Sequence, residues 1–289
     1  MSGAVLIDKV SNCAHHTSQL MGHQELAMDI EGINLCRTGR IALIQLCTKS
    51  GEVFLFDIAV LGQDAFDKGG LRAVLESEQI CKVIFDGRAD ADALYHQFHV
   101  QIRHAFDLQV QHALRFSNSN DRYVKGLKKC LSDANVVPLM ERECLEALKE
   151  EGLRLFAPEK GGRYEVWMER PLNQALVDYA AADVKYLLSM KAIWHASQDV
   201  LQLTRDRLQG AVQAAVPAKG QHMSVRDFSL GQHPQYLGRE AVSQKRRIMG
   251  GTGPMKRSRP MGGSNRFGLD DDLDDICDPF DGFFGYGSD

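Results

Sequence analysis

The run Glu25-Leu-Ala-Met-Asp-Ile-Glu-Gly32 limits what this chain can fold into. Leu26 to Ile30 read as a short apolar strand, and Asp29 and Glu31 interrupt it two residues apart. Side chains alternate faces along a strand, so both carboxylates point to one side of the sheet. Beside apolar surface they repel each other and cost desolvation free energy. A divalent cation such as Mg²⁺ or Mn²⁺ relieves both penalties, because hard ions take carboxylate oxygens. The competing reading is a strand end that simply turns into solvent.

The residues around this strand predict a hairpin followed by strands alternating with helices. Val5 to Asp8 read as an edge strand and Lys9 to Leu20 as a polar helix or loop. Gly32 to Gly39 is a turn with glycine at both ends. Ile41 to Thr48 and Val53 to Asp57 are β-rich runs joined by Lys49-Ser-Gly-Glu52, a hairpin signal. A helix over Leu71 to Ser77, a buried-type strand over Cys81 to Phe85 and a helix over Ala89 to Phe98 follow. Ala105 to Asp107 reads as a strand leading into a helix through Leu114. This order predicts an α/β domain, a mixed sheet covered by helices, rather than a sandwich.

Surface helices are expected over Tyr123 to Leu131 and Glu141 to Lys149. Pro171 stands at a helix start, with Leu172 to Met190 following in helical register, and another helix runs from Val200 to Val216. From Pro217 onward glycine and charge rise and apolar periodicity ends. Lys245 to Arg247 and Lys256 to Arg259 are basic, whereas Asp270 to Asp275 is acidic. Residues 217–289 are therefore expected to be largely disordered. Such a tail suits a protein partner, a nuclear import signal or an RNA contact, and equally a plain solubilising segment.

With 289 residues, 44% hydrophobic and 25% charged, the chain has the make-up of an ordinary globular protein of one large or two small domains. No apolar run is long enough to span a bilayer, and no basic-then-apolar leader follows Met1. The seven cysteines are scattered without a C-x-x-C pair, which fits reduced thiols in a nuclear or cytoplasmic protein that is not secreted. A net charge of -4 does not advertise nucleic-acid binding, but bound cations would bring positive charge to an acidic site.

Three further groups can complete the acid pair. Asp90 lies in Phe85-Asp-Gly-Arg-Ala-Asp-Ala-Asp92, at a helix start just past a predicted strand, with Asp86 and Asp92 competing for its role. Taken singly, each of these acids also suits a helix cap. Tyr179 and Asp183 in Asp178-Tyr-Ala-Ala-Ala-Asp183 are four apart and share one helix face. The intervening alanines leave that face free to approach the sheet closely. A surface tyrosine beside an unrelated acid is the bland alternative.

In this order, Asp29-x-Glu31, Asp90 and Tyr179-x-x-x-Asp183 resemble the three exonuclease motifs of the DEDD superfamily, in its tyrosine-bearing branch. Ribonuclease D, the Werner-type exonuclease and Egalitarian-like proteins are neighbours there. Lys82 to Asp90, Phe106 to Gln109 and Trp167 to Leu172 support the likeness, which covers about residues 4–198, with a further helix over 199–216. The sister branch carries histidine five residues before its last aspartate, where this chain has Asp178.

The resemblance implies an RNase H-like fold and metal-dependent 3′→5′ hydrolysis of single-stranded nucleic acid from a free 3′ end. RNA is favoured over DNA, and nucleoside 5′-monophosphates are released. It implies two divalent cations, Mg²⁺ or Mn²⁺. Asp29, Glu31 and Asp183 would hold one, with Asp29 also touching the second and Asp90 reaching that ion through water. Tyr179 would orient the attacking water. Leu35 would wedge against the terminal base, and the backbone of Gly32 would lie beside the terminal sugar. A non-catalytic RNA-binding adaptor that keeps the fold is the alternative.

His96, His99, His104 and His112 lack compact ligand spacing and read as surface or core residues. Asp57 and Asp107 read as strand ends. Arg37, Arg88, Lys125, Lys128 and Lys129 suit phosphates or mere solvation. Residues 217–289 show no pattern for the helical domains with which ribonuclease D grips tRNA, so tRNA maturation is not expected. No polymerase or helicase region accompanies the domain, so proofreading within the chain is not expected either.

Overall fold

Alternation of apolar side chains along the central strands sets the layers of the computed structural model, which describes residues 3–118, 120–194, 198–218 and 221–229. Six strands form one sheet: β1 (Val5–Ile7), β2 (Glu25–Ile33), β3 (Arg40–Cys47), β4 (Val53–Asp57), β5 (Cys81–Ile84) and β6 (Ala105–Asp107). Their order is β1-β4-β3-β2-β5-β6. The β2–β3–β4 meander is antiparallel, while β1 joins β4, and β5 and β6 extend from β2, in parallel. Parallel neighbours need crossover connections, and the helices supply them.

Helix α1 (Val10–Leu20) precedes β2, and the short α2 (Ile58–Leu61), α3 (Asp64–Asp67) and α4 (Leu71–Leu75) lie between β4 and β5. Then follow α5 (Arg88–Phe98), α6 (Leu108–Phe116), α7 (Leu127–Ala134), α8 (Leu139–Phe156), α9 (Gln174–Lys185), α10 (Leu187–Trp194) and α11 (Gln198–Gln213). One sheet face offers Leu26, Met28, Ile30, Ile44 and Leu46 to a core shared with α4 and α5. The other face carries two apolar clusters. Ala27, Cys47 and Val83 pack with α6, α7 and α10, and Leu43 and Leu55 pack with α8 and α9. The mixed sheet flanked by helices matches the expected fold class.

Tertiary contacts move several expected boundaries. The helix expected over Leu172 to Met190 is two helices, because Tyr186 leaves α9 at φ -106° and its hydroxyl donates to Glu141 Oε2 at 2.7 Å. The helix expected over Tyr123 to Leu131 begins only at Leu127, and Tyr123 instead pairs with Val225. The surface helix expected over Glu141 to Lys149 runs on to Phe156, and its last turns bury Gly152, Leu153 and Phe156.

Part of the segment 217–289, expected to be largely disordered, packs on the domain. Val124 N donates to Ser224 O at 3.0 Å and Arg226 N to Arg122 O at 2.8 Å, so residues 221–229 dock on the domain. This pairing joins residues about a hundred positions apart, which composition does not reveal. The two basic blocks and the acidic block of the tail lie outside the described residues.

Candidate active site

Strand β2 places the first two acids. Asp29 stands opposite Gln45 and Glu31 opposite Leu43 on β3. Directly opposed residues share a face, so the acids sit on the side covered by α9, at the seam between the two apolar clusters there. The register slips at Glu31/Gly32. A Cβ on Gly32 would overlap the Arg40 carbonyl oxygen and lie 3.1 Å from Ile41 Cα. Glycine therefore lets β3 close against this bulge, and the bulge re-aims the strand beside Glu31.

Helix α9 supplies the next two groups. The Asn173 side chain caps it, accepting from Ala175 N at 2.9 Å. Tyr179 and Asp183 then lie one turn apart, and Ala180 and Ala182 are small enough for α9 to rest on the sheet. One carboxylate oxygen from each of Asp29, Glu31 and Asp183 lies within 4.8 Å of the others. The Tyr179 ring is 6% exposed, edge-on to Phe156 and Trp167 with centroids at 5.1 and 6.3 Å.

Asp90 occupies the first turn of α5 and is 5% exposed. Its rivals are committed elsewhere. Arg88 grips Asp86 with contacts of 2.5 and 2.6 Å, and Arg207 lies 3.4 Å from it. Asp92 is fully buried and held by the backbone N and side chain of Arg37, at 2.7 and 2.8 Å. Asp90 instead feels the charges of Asp29, Asp86 and Asp107.

Electrostatics mark the cluster as underneutralised. Burial, then the charges of Asp29 and Asp183, push the Glu31 carboxyl well above its ordinary range against the pull of Lys149. Burial and Asp29 do the same to Asp90. Burial also raises Asp183, although Lys149 donates a hydrogen bond to its Oδ1. Lys149 opposes this rise at Glu31 and Asp183, and buried carboxylates crowded in this way favour protonation or added cations. An all-carboxylate donor set suits a hard divalent ion. Both amide atoms of Gln45, the cross-strand neighbour of Asp29, are buried without a protein hydrogen bond, a further polar resource beside the acids. The residues fit a divalent metal.

Residues 5–196 match the family described as 3'-5' exonuclease. The chain belongs to that family. The exonuclease domain is of the DEDD type. It is 30% identical over 221 residues to the piRNA biogenesis protein EXD1 of Mus musculus, covering 70% of this chain and 37% of that protein. It is 32% identical over 166 residues to the Homo sapiens protein of the same name, covering 57% and 31%. The chain therefore spans about a third of the length of these curated relatives.

Among solved structures, Trypanosoma brucei RNase D in complex with RNA U12 is similar at a TM-score of 0.61 and 25% identity, covering 82% of this chain and 78% of that one. Escherichia coli RNase D shares the fold at a TM-score of 0.55 and 19% identity, covering 73% and 51%.

Other residues expected at the terminal base or at phosphates have packing or partners of their own. Leu35 is 4% exposed and packs in the core cluster, which leaves little of its surface for a terminal base. Arg37 and Arg88 are bound to Asp92 and Asp86, so they are structural ion pairs rather than open phosphate contacts. Lys129 pairs with Asp133 at 2.9 Å. His112 bonds Asp133 at 2.8 Å, and burial lowers its pKa. None of the four histidines joins the acid cluster.

Lys149 was hidden by its place in a supposed surface helix. Its spacing to Gly152, Leu153 and Phe156 is the available signal, because positions three, four and seven apart share a helix face.

Proposed function

We propose that this chain is a divalent-cation-dependent 3′→5′ exonuclease that shortens single-stranded nucleic acid, RNA in preference to DNA, to nucleoside 5′-monophosphates. The carrying observation is the convergence of Asp29, Glu31 and Asp183 within 4.8 Å, with Asp90 in the field of Asp29. Asp29, Glu31 and Asp183 would hold one ion, and Asp29 with Asp90 the other. Bound cations of this kind activate water and neutralise the leaving 3′ oxygen. Asp29 links the two positions. Tyr179, on the same face of α9 as Asp183, orients the attacking water through its hydroxyl. The backbone of Gly32, next to Glu31 at the bulge, lies beside the terminal sugar.

RNA as substrate is supported by the RNA-bound RNase D structure and by relatives named as piRNA biogenesis proteins. A nuclear or cytoplasmic site of action is part of this reading. Among the described residues no helix is long and apolar enough to cross a membrane.

The test uses 5′-labelled single-stranded RNA and DNA with Mg²⁺ or Mn²⁺, beside Asp29→Ala. Stepwise shortening that needs metal and Asp29 is expected. Shortening that survives EDTA or Asp29→Ala overturns the proposal.

A second reading, an RNA-binding adaptor without turnover, is favoured by one observation. Lys149 already places an ammonium on Asp183. RNA binding with no cleavage under any divalent metal selects it.

A further inference from the structure

The link from β5 to Asp90 is held in part by segments that lie beyond the family match, which ends at residue 196. Phe85, Asp86 and Gly87 join β5 to α5, and Asp86 adopts a left-handed backbone with φ 51°. That conformation is uncommon outside glycine, and aspartate is one of the residues that adopt it more often, aided by local hydrogen bonds. Support comes first from β6, where Asp107 Oδ1 accepts from Asp86 N at 2.9 Å. It comes next from α11, where Arg207 donates to Asp107 Oδ2 at 2.6 Å and to Gln109 Oε1 at 2.7 Å.

The third support is the docked segment 221–229. Asp227 bridges the two buried arginines, accepting from Arg88 Nη1 at 3.1 Å and from Arg207 Nε at 2.9 Å. Arg88 also donates to the Met223 carbonyl, and the Arg207 guanidinium lies 5.5 Å from the Phe228 ring. Arg88 and Arg207 side chains are 4% and 1% exposed, whereas Asp227 is 37% exposed. Buried charges are tolerated only while their partners stay in place. Arg88 begins α5 and Asp90 stands two residues later in the same turn.

We propose that α11 and residues 221–229 set the position of Asp90, with Asp227 as a positioning residue acting through Arg88 and Arg207. The metal-binding part of this inference rests on the proposed function. Groups hydrogen-bonded to metal ligands typically change affinity by about 10- to 100-fold when lost, and Asp227 acts one step further out, through Arg88, so the low end of that range is expected. Asp227 would therefore tune the cation position formed by Asp29 and Asp90, leaving that of Glu31 and Asp183 alone.

The experiment compares the full chain with Asp227→Ala, Asp227→Glu and Asp90→Asn by two readouts. The first is amide hydrogen exchange over residues 86–91 without metal. The second is Mn²⁺ binding by titration. Asp227→Ala should speed exchange at 86–91 and weaken one of two Mn²⁺ sites on the order of 10-fold, the same site that Asp90→Asn abolishes. Asp227→Glu should restore both. Asp227→Asn, which keeps the volume, replaces Asp227→Ala if that variant melts early. Unchanged exchange and two unchanged Mn²⁺ sites in Asp227→Ala overturn the inference alone. A wild-type chain that binds no Mn²⁺ overturns the proposed function and the metal-binding part of this inference, while unchanged exchange at 86–91 in Asp227→Ala overturns the positioning part by itself.

Discussion

Lys149 on α8 donates a hydrogen bond to Asp183 Oδ1 on α9, and the same ammonium stands 3.6 Å from the centre of the Tyr179 ring. One lysine thus touches both groups that α9 brings to the acids. Under the proposed function it would compete with a metal ion for Asp183, because like charges repel strongly where protein replaces water. Lys149→Met is expected to tighten Mn²⁺ binding several-fold, read by titration, while making the metal-free protein less stable by about 1–3 kcal/mol through loss of a partly buried partner. Weaker Mn²⁺ binding in this variant would show that Lys149 assists the ion instead.

Tyr179→Phe separates the hydroxyl from the ring. Under the proposed function, losing one hydrogen bond made mainly in the transition state costs about 1–3 kcal/mol, roughly a 5- to 150-fold drop in rate. The melting temperature should hardly change, since the ring keeps its contacts with Phe156 and Trp167. Asp183→Asn should lower the rate further, because it removes a charge from the cation site, and both variants should still bind single strands. Full activity in Tyr179→Phe would leave water orientation to Glu31 and the metal.

Gly152 tests how tightly that ring is placed. A Cβ there would lie 2.8 Å from Tyr179 Cβ and Cγ. Alanine normally favours a helix interior by about 1 kcal/mol over glycine, but overpacking costs about 1–3 kcal/mol, so the clash should win. Gly152→Ala is expected to melt earlier and to lose rate by moving the Tyr179 ring, with nucleic-acid binding kept. A variant that is more stable and fully active would mean that α8 shifts freely.

Lys82 predicts a pH dependence unrelated to the site. It is fully buried in β5, donates to Ser77 O at 2.5 Å, and burial lowers its pKa from 10.5 to about 8. Between those values the unfolded chain holds a proton that the folded chain lacks, so this residue makes stability rise with pH there. Below pH 8 both states are charged and the burial penalty is fully present, at most about 3 kcal/mol. Lys82→Met should therefore raise the melting temperature at pH 7, with the advantage shrinking from pH 8 to pH 10.5. A pH-independent difference would show that Lys82 stays charged in the fold.

Short-range periodicity determined much of this protein. Alternation along β2 put Asp29 and Glu31 on one face, and helical spacing put Tyr179 with Asp183, because both patterns depend only on near neighbours in the chain. The hairpin through Lys49 to Glu52 and the strand–helix order were legible for the same reason.

Choosing among Asp86, Asp90 and Asp92 was beyond local pattern. Arg88 and Arg207 claim Asp86, and Arg37 claims Asp92, and only folding brings Arg207 to β5 and Arg37 to α5. Lys149 reaches Asp183 because α8 packs on α9, and Leu35 lies in the core cluster. Asp227 meets Arg88 across 139 positions of chain. Such pairings depend on long-range closure of the fold, which periodicity within one segment cannot carry.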